Sequence, residues 1–200
     1  MTGRLALLIR HAQSVWNAEG RWQGRADPPL TAEGLQVAQE AAPLLPRIFT
    51  QVLSSPLQRA AQTAHALAQE LGINAIDSDA RLVERHLGSW EGLTKDEAQK
   101  AFVDDWTRLT TEAIDPPQWE SPASAVARVH QALTEAHEQE TGPLLVVSHA
   151  GPITCLQQHL TGRSTGLSNL EGIWAIIEPE SITLLGRQRF TTQHTSIELL

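Results

Sequence analysis

Leu7-Leu8-Ile9-Arg10-His11-Ala12-Gln13-Ser14-Val15-Trp16-Asn17 decides how the remaining sequence is read. Its apolar start has the length of a buried strand, and it stops abruptly at a cation and an imidazole. In an open α/β sheet, ligands occupy the crevice beyond the carboxyl ends of the strands, which is where Arg10 and His11 fall. Taken alone, an Arg-His pair also fits a solvated strand end. Far along the chain, Leu144-Leu145-Val146-Val147-Ser148-His149 repeats the pattern, a continuous apolar run that ends in histidine. Two parallel buried strands of this kind would bring both imidazoles to one edge of the sheet.

Working outward, residues 19–29 read as a polar, glycine-containing loop able to close over a site. Thr31 then has the character of an N-cap, and Leu35, Ala38, Ala42 and Leu45 recur at helical spacing until Pro43 and Pro46. Ile48 to Leu53 predicts a second buried strand. Ser54-Ser55-Pro56-Leu57-Gln58-Arg59 follows as a strand-to-helix junction, with Ser55 as cap and Pro56 at the first helical position. Arg59 falls one turn in, off the apolar stripe of Leu57, Ala60, Ala64, Leu67 and Leu71. A guanidinium at a helix start adds a bidentate fork for phosphate oxygens, although standing alone it reads better as a solvated surface arginine.

Ile73 to Ile76 suggests a short third strand. Residues 81–92, mixing glycine and charge with Leu, Val and Trp, predict a functional loop anchored by apolar side chains. Lys95 to Thr111 reads as one helix, and Ser121-Pro122 opens another that Thr141-Gly142-Pro143 stops. Ile153 to Leu160 is expected to be helical, and Ile173 to Ile177 with Ile182 to Leu185 to form a terminal hairpin. Strands alternating with helices predict an α/β fold with a largely parallel sheet.

The chain has 200 residues, 41% hydrophobic and 19% charged, which suits one globular domain over 1–200. A net charge of -8 opposes nucleic acid or an anionic membrane as the main partner. The first hundred residues hold 10 basic and 11 acidic side chains against 5 and 12 in the second, so an anion site suits the first half better. A single cysteine, Cys155, forms no internal disulfide, and no run has the length of a signal core or a membrane span. A cytoplasmic location is the expectation. His130 and His137, seven apart on one helix face, read as solvated rather than as a metal pair, and Gly162 to Gly166 lacks the lysine of a nucleotide-binding loop.

Four stretches together carry a family resemblance. They are Arg10-His11-Ala12 with Trp16-Asn17, Gln23-Gly24, Asp27 and Leu30-Thr31; Ser54 to Ala64; Leu82-Val83-Glu84 with Gly88-Ser89-Trp90-Glu91-Gly92; and Val147-Ser148-His149-Ala150-Gly151-Pro152. In this order they resemble the histidine phosphatase superfamily, the phosphoglycerate mutase-like group, along nearly the whole chain. The resemblance implies a three-layer αβα fold with helices on both faces of a mixed, mostly parallel sheet. It also implies that His11 is a nucleophile, that Arg10, Arg59 and His149 surround the phosphate, and that Glu84 donates a proton. Asn17, Gln23 and Gly24 would contact phosphate or substrate. Such chemistry needs neither metal nor other cofactor, because guanidiniums and a second imidazole supply the charge.

Ala12 and Ala150 depart from the pattern, which more commonly has glycine after each histidine, and predict a tighter pocket that still turns over. The phosphatase branch is favoured by Trp90-Glu91-Gly92 and by chain length. Glu84-Arg85-His86 and Gly92-Leu93-Thr94-Lys95 are similar to the mutases, and Lys95 with Arg108 could bind a substrate carboxylate or be merely solvated. A protein phosphohistidine phosphatase and a non-catalytic binding relative are the other readings. The expected partner is a small-molecule phosphomonoester, and a homodimer is left open. Of six tryptophans, Trp22, Trp106 and Trp119 fall where they could overhang the pocket and favour an apolar leaving group.

Overall fold

The computed structural model describes residues 3–139, 142–191 and 197–199. Its centre is a seven-stranded sheet built from β1 (Arg4–Arg10), β2 (Gln51–Ser54), β3 (Ile76–Ser78), β4 (Leu144–Ser148), β5 (Glu171–Ile177), β6 (Ile182–Arg189) and β7 (Ile197–Leu199). The spatial order is β3-β2-β4-β1-β5-β6-β7. The first four strands pair in parallel and the last three pairings are antiparallel, so only β5 and β7 oppose the common direction. This is the mostly parallel αβα architecture that the sequence predicts.

Alternation along the central strands separates two cores. Leu7 and Ile9 of β1, with Leu145 and Val147 of β4, face α2 (Ala32–Ala41) and α3 (Gln58–Leu71), where Ala38, Ala64 and Leu67 are buried. Ala6, Leu8, Leu144 and Val146 face α6 (Pro122–Gln139) and α7 (Ala150–Thr161), meeting Val129, Leu133, Ile153 and Leu156. Each fully buried aliphatic side chain of this kind contributes about 1.5–3 kcal/mol relative to exposure. Small alanines on α2 and α3 let those helices lie close to the sheet.

A third apolar cluster is built around five aromatic side chains, with Leu87, Leu93, Ala98 and Leu109 packed among them. Trp90 is its centre, stacked on Phe102 at 5.7 Å and Trp106 at 5.9 Å, with Trp119 edge-on at 5.2 Å and Trp22 at 5.8 Å. It joins α4 (Lys95–Ala101), α5 (Val103–Glu112) and the loops on either side. Phe102, expected inside one helix, instead leaves helical geometry with φ -132° and ψ 58° and divides it in two. Its ring reaches Trp90 only because the backbone breaks there.

Other boundaries also differ from the sequence reading. Ile48 is 44% exposed and the second strand begins at Gln51. β3 begins where Ile73 to Ile76 was expected to end. Helix α3 opens at Gln58, past both Ser55 and Pro56, because the Asp27 carboxylate accepts from the Gln58 N–H at 2.6 Å and provides a cap from a distant loop. Val15–Ala18 forms a single helical turn, α1, closed by a reciprocal Ser14–Asn17 capping box. The expected stop at Thr141 lies outside the described residues. No helix among them is long and apolar enough to cross a membrane.

Candidate active site

Strands β1 and β4 are neighbours with Arg10 opposite Ser148, and the His11 N–H donates to the Ser148 carbonyl at 3.0 Å. This register sets His11 beside His149, with ring centroids 5.1 Å apart and planes at 61°. Both are buried, at 2% and 0% exposure. Ser55, just beyond β2, extends the same edge, its N–H donating to the Val147 carbonyl at 2.9 Å.

His11 Nδ1 lies 2.6 Å from the carbonyl of Ala12, an acceptor only, so this nitrogen carries the proton. Nε2 is then the unprotonated ring nitrogen and takes no hydrogen bond from the protein among the described residues. Burial, then the charges of Arg10 and Arg59, hold the His11 imidazole well below its usual 6.5. His149 is held low by burial, Arg59, His11 and Arg10. Its Nε2 lies 2.8 Å from Ser55 Oγ, while Nδ1 is buried without a partner. Ser55, expected to cap a helix, is thus engaged with this ring.

Arg59 is fully buried, not a polar residue on the solvent side of its helix. Its guanidinium donates to the Gly24 carbonyl at 2.9 Å and the Ala26 carbonyl at 2.8 Å, tying the 24–27 loop to the sheet edge. Burial lowers Arg59 to about 10, so it remains a cation at neutral pH. Arg10 is lowered by burial too, and donates to the Leu167 carbonyl at 2.6 Å. Arg10 Nε, Arg59 Nε and His149 Nδ1 are buried polar atoms with no partner among the described residues, and such groups call for an explanation.

Arg10 opens onto a cavity of about 320 Å³, a size that suits a small molecule, whereas His11, Arg59 and His149 are buried and are not part of its wall. Arg10, Asn17, Gln23, Gly24, Glu84, Arg85, Ala150 and Gly151 are part of its wall, and Trp22, Leu87, Trp119 and Leu167 supply the apolar portion. Glu84 accepts from the Arg85 N–H at 2.8 Å and the Gly151 N–H at 3.2 Å. A Cβ at Gly151 would stand 2.2 Å from the Glu84 carboxylate, so glycine is needed there for the carboxylate to reach the start of α7. Gly24 adopts φ +49° under Glu91, where a Cβ would meet that side chain at 2.1 Å.

The structure does not bring Lys95 or Arg108 to this wall. Both are exposed on α4 and α5, because the aromatic cluster claims the opposite faces of those helices. Trp106 packs behind Trp90, leaving Trp22 and Trp119 as the tryptophans that line the cavity. Arg85 is one of the lining residues, with Arg21, Leu87, Thr154 and Leu167, whose role was not read from sequence. It pairs with Asp115 at 2.5 Å and lies 5.9 Å from the Trp119 ring centre, which fixes Trp119 against the Glu84 loop. His130 and His137 are half-buried rather than solvated, and no group of three or more metal-ligating side chains occurs among the described residues. A larger depression near Leu5, Pro46 and Trp174, about 500 Å³, has no ionisable side chain in its wall.

Two imidazoles held neutral by burial carry a consequence for stability. Their folded-state values lie below 6.5, so as pH falls the unfolded chain takes up protons first. The stability they contribute is complete above about pH 6.5 and is lost below it, at most about 1.4 kcal/mol per pH unit per histidine. Thermal melts between pH 7 and 5 should show a falling midpoint, and a His11→Asn/His149→Asn double variant should fall less. Parallel curves would contradict this assignment.

Comparison with known sequences shows the family: this chain belongs to the histidine phosphatase superfamily (branch 1), whose sequence model matches residues 6–195. Phosphoserine phosphatase 1 of Hydrogenobacter thermophilus is 34% identical over 160 residues, covering 78% of this chain and 75% of that protein. The Escherichia fergusonii protein named "Probable phosphoglycerate mutase GpmB" is 36% identical over 166 residues, covering 78% and 74%. Among solved structures, mycobacterial glucosyl-3-phosphoglycerate phosphatase with VO3 superposes with a TM-score of 0.77 at 26% identity, over 90% of this chain and 97% of that one. Both phosphatases and mutases are therefore among its relatives.

Proposed function

We propose that this chain is a metal-independent phosphomonoesterase acting on a small phosphorylated metabolite through a phosphohistidine on His11. The observation that carries the reading is the state of His11: a neutral ring, proton held on Nδ1 by the Ala12 carbonyl, Nε2 unengaged, beside two guanidiniums. Nε2 attacks phosphorus while the bond to the alcohol oxygen breaks. Arg10, Arg59 and His149 take up charge on the phosphoryl oxygens, which would engage the three buried donors now without partners. Glu84 gives its proton to the departing oxygen, then removes one from the water that attacks the phosphohistidine and breaks the P–N bond.

Gly151 tests the position of Glu84 without removing it. Gly151→Ala should displace the carboxylate and lower kcat/KM on alkyl phosphates by about 10-fold or more, since a general acid must be within hydrogen-bond reach. The fold should persist, because alanine is the better helix former by up to about 1 kcal/mol. Unchanged alkyl-phosphate turnover would remove Glu84 from the proton-transfer step.

The 36% identity to mutases favours a second reading, phosphoglycerate mutase. Against it, Lys95 and Arg108 are exposed and away from the cavity wall. Phosphate release from a phosphomonoester panel in chelator, with and without a bisphosphoglycerate primer, separates the two. Hydrolysis without primer supports the phosphatase; isomerisation that depends on primer supports the mutase.

A further inference from the structure

We propose that Asn169 is a positioning residue, setting which end of the Asn17 carboxamide faces the cavity and thereby the affinity of the site for a phosphate group. The inference rests on the phosphate-site reading above. Asn169 lies in the loop between α7 and β5, which is docked from both sides. Arg187 donates to the Gly166 carbonyl at 2.6 Å, Arg189 to Ser168 Oγ at 2.7 Å, and both arginines pair with Glu171. Toward the site, the Leu170 N–H donates to the Arg10 carbonyl at 3.1 Å, and Leu167 accepts from the Arg10 guanidinium.

From this fixed loop Asn169 Nδ2 donates to the His11 carbonyl at 2.8 Å and to Asn17 Oδ1 at 3.3 Å. An amide NH2 offers hydrogens only, so the Asn17 atom facing it must be the oxygen. The Ser14 N–H donates to the same oxygen at 3.2 Å. With two donors on Oδ1, the two hydrogens of Asn17 Nδ2 take no protein partner among the described residues, on a side chain that lines the cavity. Gln23 follows the same rule. The Ser14 hydroxyl, which accepts from the Asn17 N–H at 3.2 Å, donates to Gln23 Oε1 at 2.7 Å, and Gln23 Nε2 takes no partner among the described residues. Both carboxamides are thus oriented with oxygen toward the protein and NH2 groups free, the polarity an anion requires. Asn169 is the donor in this set that comes from outside the opening motif, 152 residues from Asn17.

The test is calorimetric titration with inorganic phosphate of the wild-type chain, Asn169→Ala, Asn169→Asp, Asn17→Ala and Asn17→Ala/Asn169→Ala, each also melted thermally. Asn169→Ala should weaken phosphate by about fivefold, the scale of one hydrogen bond, and Asn169→Asp by more than about tenfold, because it puts an acceptor where the donor was. In the Asn17→Ala background the added Asn169→Ala change should cost less than about twofold. Equal factors in both backgrounds, or unchanged binding in Asn169→Ala and Asn169→Asp, would overturn the proposal. Should Asn169→Ala not fold, the isosteric Asn169→Asp alone and with Asn17→Ala decides the same comparison. A wild-type chain that binds phosphate yet hydrolyses no phosphomonoester would refute the phosphatase reading, while these ratios would still decide the role of Asn169. A wild-type chain that binds no phosphate would refute both.

Discussion

Replacing His11 with alanine should lower turnover of every phosphomonoester substrate by at least about 10⁴-fold, the scale seen when a covalent nucleophile is deleted from an otherwise intact site. Nδ1 is committed to the Ala12 carbonyl, which leaves Nε2 of His11 to attack; His149 offers no substitute in this mechanism, because its Nε2 is engaged with Ser55 and its Nδ1 carries the proton that it presents to the phosphoryl oxygens. No second neutral nucleophile is therefore poised at the end of β1. Phosphate affinity should change far less than turnover, since the charges of Arg10 and Arg59 remain. A steady-state assay beside a phosphate titration measures both quantities. Residual activity within tenfold of wild type would place the nucleophile elsewhere.

Glu84→Gln should separate substrates by leaving group. For an alkyl phosphate, whose alkoxide departs poorly without a proton, kcat/KM should fall by about 10²–10⁴-fold. For an aryl phosphate that releases a stable phenolate, the loss should stay within about tenfold, because little proton transfer is needed as the P–O bond breaks. The comparison uses kcat/KM, which covers steps up to phosphorylation of His11 and leaves out the later attack by water. Glutamine keeps the acceptor for the Arg85 and Gly151 N–H groups, so the loop and the start of α7 should hold their places. Equal losses on both substrate kinds would contradict proton donation and leave Glu84 an electrostatic or structural part.

The sheet edge was legible because buried parallel strands read as apolar runs, and a polar residue that ends such a run is conspicuous. Arg10, His11 and His149 are found that way, and their meeting follows from the pairing of β1 with β4. Arg59 shows where local pattern misleads. Its place off the apolar stripe suggests solvent, but the Gly24 and Ala26 carbonyls arrive from 35 and 33 residues away and accept from it where it is buried. The helix break at Phe102 was illegible for the same reason, since no proline or glycine marks it and the partner of its ring, Trp90, belongs to a different loop. Lys95 and Arg108 were placed near substrate by resemblance of motif, and helical spacing alone does not say toward which neighbour a polar face turns. Asn169 gave no local signal, because its meaning lies in a contact with His11 across 158 residues.

Rapid quenching of the wild-type chain with a ³²P-labelled phosphomonoester tests the account most directly. Label should appear on His11 within the first turnover, survive alkali, and be lost in acid, as a phosphoramidate is; His149→Ala should still form it, more slowly, and His11→Ala should not. Turnover at the full rate with no label on His11, or with label on another residue, would contradict the account.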